Sequence, residues 1–205
     1  MKSLSESEII LYLKENFQPL EDSNWGPGYR ASAYLTDGTF LPCVIFRSSK
    51  PIVDMAKKRF KEESSGKSIF SKSSGLGYTD IVKSFVAKGN CVNVYNIAKI
   101  SKSRFGFPLQ VQMQIKGETS MSWTAFVAKF SDGRHLSFGT TWNWEFFDLP
   151  DGYNTEDIIE IINHSYLLKS GEIVQHRDFD RVSRQKELAH INPDRVFFEC
   201  YLDAL

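Results

Sequence analysis

His176, Asp178 and Asp180 are the residues of this sequence whose types and spacing come nearest to chemistry. In an extended strand alternate side chains share a face, so one imidazole and two carboxylates would converge on a divalent cation. A zinc or manganese ion held there with an open position could activate water for phosphodiester or amide hydrolysis. Arg177, Arg181 and Arg184 stand among these residues, and guanidinium groups compete with a cation for carboxylates. A solvated, salt-bridged turn is therefore the plainer reading, with a metal-dependent hydrolase as an alternative.

Other chemical motifs fall short. Lys61–Ser68 ends like a phosphate-binding loop, but Lys61 replaces its leading glycine and a helix, not a strand, is expected before it. His176-Arg177-Asp178 matches the start of a kinase catalytic loop, yet Ser183 stands where that loop needs asparagine. Cys43 and Cys200 fall at inward-looking strand positions, where free cysteine behaves as a small hydrophobe. Trp142, Trp144 and Phe146 share one strand face by alternation. Exposed, that row would stack bases or sugars; buried, it would be ordinary core, which large aromatics favour. The sequence calls for no cofactor and leans away from an enzyme.

The strongest positive feature is electrostatic. Net charge is zero, but Arg47–Arg104 holds thirteen basic and four acidic residues, while Met1–Phe46 holds three and six and Phe105–Leu205 nine and fifteen. Lys57, Lys58 and Lys61 form a stripe on one expected helix face, with Arg59 beside it and Lys67 and Lys72 on the loop beyond. Lysine at this density suits contact with phosphate or with an acidic protein surface more than the reading of bases. The partner expected is a macromolecule, either an acidic protein or a nucleic acid. The same stripe as a merely solvated helix face is the plain alternative.

These residues need elements to position them. Ser5-Glu6-Ser7-Glu8 is a capping box opening a helix that Pro19 closes. Asp37-Gly38 joins Tyr29–Thr36 to Thr39–Arg47, and Asp132-Gly133 joins Ser122–Ser131 to Arg134–Phe147, each as a two-residue hairpin turn. Leu109, Val111, Met113 and Ile115 alternate with Gln110, Gln112, Gln114 and Lys116, which predicts a half-buried antiparallel strand with its glutamines in water. Helices are expected from Pro51, over Asp80–Lys88, over Thr155–Leu168 and over Arg184–His190. Further strands are expected around Cys91–Ile100, Glu172–His176 and Arg195–Asp203.

The expected fold is α+β: an antiparallel sheet core with two Asp-Gly hairpins and helices on one side or at the ends. Residues 1–205 read as a single domain. The echo of Ala33–Leu41 in Ala128–Leu136 allows two closely packed ββα-containing halves, about 1–100 and 101–205. The polar start gives no secretory signal, and no apolar run approaches the roughly 20 residues of a membrane span. Three widely spaced cysteines argue against a disulfide framework, so the cytoplasm is the expected compartment. A non-enzymatic binding or regulatory protein of inhibitor, immunity or adaptor type leads; a nucleic-acid binder using residues 47–104 and the hydrolase follow.

Overall fold

In chain order the elements are α1 (Glu6–Asn16), β1 (Gly28–Leu35), β2 (Phe40–Ser48), α2 (Lys50–Ser64), β3 (Cys91–Val92), β4 (Ile97–Ser101), α3 (Leu109–Gln112), β5 (Thr124–Phe130), β6 (His135–Thr140), β7 (Ile158–Asn163), β8 (Ser165–Leu167), β9 (Ile173–Gln175), β10 (Ile191–Pro193) and β11 (Phe198–Leu202). The computed structural model describes residues 1–21, 26–64, 89–141, 143–181 and 183–205. Sheets with a few helices make the class α+β. The chain divides into two compact units, Met1–Ser101 with Phe197–Leu205 and Lys102–Val196, so in chain order the second follows β4 and precedes β11 of the first.

One frame occurs in both units. The first unit's sheet runs β3-β11-β2-β1-β4 and the second's β10-β6-β5-β7, with β8 and β9 forming a separate pair. In each, the leading hairpin strand has its antiparallel hairpin partner on one side and a later antiparallel strand on the other. A parallel strand from further along the chain lies beyond the hairpin partner in both. These parallel pairs correct the antiparallel core expected from sequence. Hairpin signals are local, whereas a parallel neighbour arrives by a long connection that leaves no local mark.

The turns agree in detail. Leu35 N–H donates to Thr39 O at 2.9 Å and Gly38 N–H to Leu35 O at 3.0 Å; Phe130 N–H donates to Arg134 O at 2.9 Å and Gly133 N–H to Phe130 O at 2.9 Å. Each loop therefore has three residues, and only its glycine has positive φ, 93° at Gly38 and 85° at Gly133. This is a type I turn closed by a glycine bulge rather than the two-residue turn expected. Asp37 and Asp132 each accept a hydrogen bond from the backbone two residues on, at 2.9 and 3.0 Å. Next to each turn, Thr36 N–H donates to Asn96 O and Ser131 N–H to Asp157 O, both at 2.8 Å. Asn96 and Asp157 end matching 3-10 turns, capped by the Asn93 and Asn154 side chains, that lead into β4 and β7. What recurs is thus a hairpin followed by an Asn-capped turn and a strand, not ββα: no helix follows β6 among the described residues.

Each core lies on one sheet face. Ser5 caps α1 and Glu8 bonds back to it, and Ile9 and Leu13 then pack on Ala31, Ala33, Val44, Phe46, Ile97 and Ile100. In the second unit Phe107, Val111 and Ile115 pack on Phe126, Phe130, Phe138, Phe147, Ile158 and Ile161. The alternating run Leu109–Ile115 is thus not a strand. It holds α3, started at Pro108, with Gln112 N–H bonded to Pro108 O at 3.0 Å. Phe107, Val111 and Ile115 recur every four residues, a spacing that satisfies both strand alternation and a helix face. Gln112 is buried rather than solvated, and Met113 is exposed rather than buried.

The helix expected over Thr155–Leu168 is also absent. Asn154 caps a single 3-10 turn, after which β-branched Ile158–Ile162 pair as strand with β5. His164 adopts φ 52°, which ends β7 before β8 begins. Arg184–His190 holds only a 3-10 turn, Gln185–Glu187. Asp80–Lys88 lies outside the described residues.

Candidate functional site

His176, Asp178 and Asp180 do not share a face, because His176–Asp178 form a 3-10 turn instead of extended chain. Phe179 draws the chain inward there: it is buried, with its ring centroid 5.8 Å from that of Tyr166. The three polar side chains go to different partners. His176 Nδ1 lies 3.1 Å from the Tyr166 hydroxyl, Asp178 accepts from Arg177 Nε at 3.4 Å, and Asp180 accepts from Ser183 Oγ at 2.7 Å. Among the described residues no group of three or more His, Cys, Asp or Glu gathers where an ion could be held.

These elements assemble an aromatic layer carrying arginines. Trp123 lies across Gly139, where a Cβ would come within 2.4 Å of its ring. Behind it Tyr166, Leu168 and Phe179 cluster with Ala125 on the outer face of β5. The Arg181 guanidinium sits 4.5 Å from the Trp123 ring centroid and 6.0 Å from that of Tyr166, and Arg184 sits 4.8 Å from that of Phe179. Arg184 Nη2 also donates to Glu187 at 2.7 Å, and this hydrogen bond raises the guanidinium pKa and lowers that of the carboxylate. Arg177 and Arg181 are exposed. A guanidinium over a ring can offer its in-plane N–H edge to carboxylate or phosphate, as exposed Arg181 does, whereas Arg184 turns Nε and Nη2 to Glu187.

The backbone beneath is tightly specified. His164 N–H donates to Ala125 O at 2.9 Å, and His164 O accepts from His176 N–H at 2.7 Å. Its Nδ1 lies 3.1 Å from Thr119 Oγ1, which also accepts from Ala125 N–H at 2.9 Å.

The basic segment is partly used within the fold. Lys57, Lys58 and Lys61 are exposed on α2. The Arg59 side chain, Lys67 and Lys72 lie outside the described residues. Arg47 is buried, with Glu199 3.9 Å away. Lys102 bonds Glu156, while Arg104 bonds Asp151 at 2.7 Å and the carbonyls of Leu149 and Pro150.

The remaining candidates resolve simply. Cys43 and Cys200 are buried, Cys91 is exposed, and burial pushes the Cys200 thiol up to about 12. Trp142 lies outside the described residues. Trp144 and Phe146 follow the end of β6, so the aromatic row is not a strand face. Cavities lined by described residues open in the second unit. One of about 400 Å³ is lined by Lys102, Arg104 and Tyr153 among others, and one of about 230 Å³ includes Thr124, Thr140 and Trp144 in its wall. Sequence reasoning missed Trp123 and Tyr166 as platforms and treated the arginines only as partners of aspartate. No spacing signals this surface, because β8 and β9 bring it together.

Compared with known proteins, the chain matches no family model, no curated protein and no solved structure.

Proposed function

We propose that the protein is a non-enzymatic binding or regulatory protein that acts by contact with a macromolecule. Its contact surface is the arginine–aromatic layer of the second unit, and its partner presents an acidic protein segment. The observation carrying this reading is Arg181 stacked 4.5 Å over Trp123 beside Arg184 stacked 4.8 Å over Phe179. Stacking fixes long side chains in advance, which lowers the entropy lost when carboxylates bind. Half-buried Trp123 supplies contact area, and buried Tyr166 and Phe179 support the arginines from beneath. Three cysteines with no disulfide among the described residues suit a reducing compartment, and the reading places the protein in the cytoplasm.

The exposed Lys57, Lys58 and Lys61 favour a second reading, nucleic-acid binding through α2. Fluorescence anisotropy of a labelled polyglutamate peptide and of a labelled single-stranded oligonucleotide separates the two. The peptide should bind, weaken with salt, and lose about tenfold or more when Arg181 and Arg184 both become Gln, as expected for lost charge-assisted bonds. Oligonucleotide binding abolished by Lys57→Glu, Lys58→Glu and Lys61→Glu together, with no peptide binding, would install the second reading instead.

A further inference from the structure

Tyr29 and Phe46 face each other across β1 and β2, and both are buried in the first unit's core. Six positions back from the residue that opens each turn, Leu35 or Phe130, the second hairpin has Thr124 paired with Thr140. Two rings in one unit are replaced by two hydroxyls in the other. A cavity of about 230 Å³ lies at that place, lined by Glu118, Ser122, Thr124, Thr140, Thr141 and Trp144.

The wall is held in an uncommon conformation. Ser120 and Trp123 exchange backbone hydrogen bonds of 2.8 and 3.1 Å around a tight turn, and Ser122 within it has φ 56°. Glycine or asparagine takes that conformation more cheaply. That turn sets Ser122 at the cavity wall. Trp144 is 36% exposed, and its carbonyl accepts from Gln112 Nε2 at 2.8 Å, which ties the indole-bearing residue to α3.

The chemistry of the lining selects a ligand class. The six residues supply four hydroxyls, of which Thr140 Oγ1 already accepts from Asn143 N–H at 3.1 Å, one carboxylate and one indole, and none carries positive charge. Hydroxyls donate and accept, and a carboxylate accepts. Phosphates and carboxylates would meet Glu118 without a compensating cation. A neutral polyhydroxylated ring meets every group with its complement, with its C–H surface against the indole. The volume is below the roughly 300–1,000 Å³ of sites for drug-sized molecules, so one ring is the size that fits. We infer that this cavity binds a single neutral sugar residue, independently of the arginine surface.

The test uses the isotopically labelled full chain, titrated separately with glucose, galactose, mannose and N-acetylglucosamine and followed by amide and indole NMR signals. At least one sugar should give saturable shifts at the Trp144 indole and the Ser122 and Thr124 amides, with a Kd of about 1 mM. Thr124→Val and Glu118→Gln should each weaken it by about tenfold, the worth of one polar contact. Ser122→Gly should weaken binding while leaving the folded spectrum intact. Glu118 is exposed, so its variant keeps the test sound if Thr124→Val fails to fold. No saturable shift from any sugar, affinity unchanged by Glu118→Gln, or saturation by tetramethylammonium but by no sugar would each overturn the inference.

Discussion

The two units build the same hairpin turn, Asn-capped turn and flanking strands, apart from a register shift between Ala31 and Ala33 that the second hairpin lacks, and then dress the two faces of that frame differently. On the core face, Ala31 of the first unit stands where Phe126 stands in the second, each paired to its neighbouring strand at the same distance from the turn. On the outer face, the first unit buries Arg30, Ser32, Arg47 and Glu199, with the Ser32 hydroxyl 3.0 Å from Ser101 O. Burial, with Glu199 beside it, pushes the Tyr201 phenol up. The second unit covers its outer face with Trp123, Tyr166 and Phe179 and lays arginines over them. Turn chemistry and register set the frame, while the faces are free to differ. The faces are where recognition is to be sought.

The largest effects should come from exchanging core-face residues between units. Phe126→Ala removes a ring stacked on Phe138, with centroids 5.4 Å apart, and should cost about 3–5 kcal/mol in urea melts. Ala31→Phe adds a ring to a filled core and should cost about 1–3 kcal/mol or more. If both changes proved neutral, the matching of the two ladders would be wrong.

Gly139 tests the outer face. Ile45 is buried at the matching ladder position, whereas a Cβ on Gly139 would meet Trp123 at 2.4 Å and Ile191 at 3.0 Å. Gly139→Ala should cost about 1–3 kcal/mol, lowering Tm by about 2–4 °C for each kcal/mol in a chain of this size. Adding Trp123→Ala should cost less than the sum of the two single changes, because the clash is then gone. Additive losses would mean that the indole does not lie where it is described.

Thiol chemistry gives a smaller effect, confined to the first unit. Cys91 should react with an alkylating reagent in the folded protein, whereas Cys43 and Cys200 should be protected until unfolding. Burial raises the Cys200 thiol from 9.0 to about 12, so it keeps its proton in the folded state after the unfolded chain has lost it. The associated stability is present in full below pH 9.0 and lost as pH climbs towards about 12. A Cys200→Ala variant should show a weaker alkaline loss.

The smallest effect is also the closest comparison. Asp37→Ala removes one exposed backbone hydrogen bond, while Asp132→Ala removes its counterpart and the exposed ion pair with Arg134 Nε, so both Tm losses should be small and the second slightly larger. Those backbone bonds hold both carboxylates below the usual carboxylate range. Their contribution is present above that range and fades as acid protonates them. Amide titrations of Thr39 and Arg134 should each report a carboxylate that protonates below the usual range. An amide that failed to respond would mean that its carboxylate does not accept there.

What was legible in the sequence was local. Ser5 and Glu8 cap α1 through bonds only three residues long. The extended chain expected at His176–Asp180 and at Leu109–Ile115 is absent for one reason: residues that alternate in polarity also fit a turn or helix that buries an apolar side chain. Phe179 pulls His176 and Asp178 into a turn, and Phe107, Val111 and Ile115 pull their segment into α3. Neither β10 nor β11 advertises its parallel partner, and Trp123, Tyr166 and Arg181 come together only after β8 and β9 fold back. The polar cavity was invisible because Thr124 and Thr140 read as ordinary strand residues until their counterparts, Tyr29 and Phe46, are set beside them.

Which unit meets the partner is tested most directly by amide and side-chain NMR with the polyglutamate peptide. Peptide-induced shifts are expected at the Trp123 indole N–H and the Arg181 and Arg184 Nε–H signals, reduced by added salt. Shifts gathered instead on Lys57, Lys58 and Lys61 of α2, with the Trp123 and arginine signals unmoved, would contradict the arginine–aromatic contact surface.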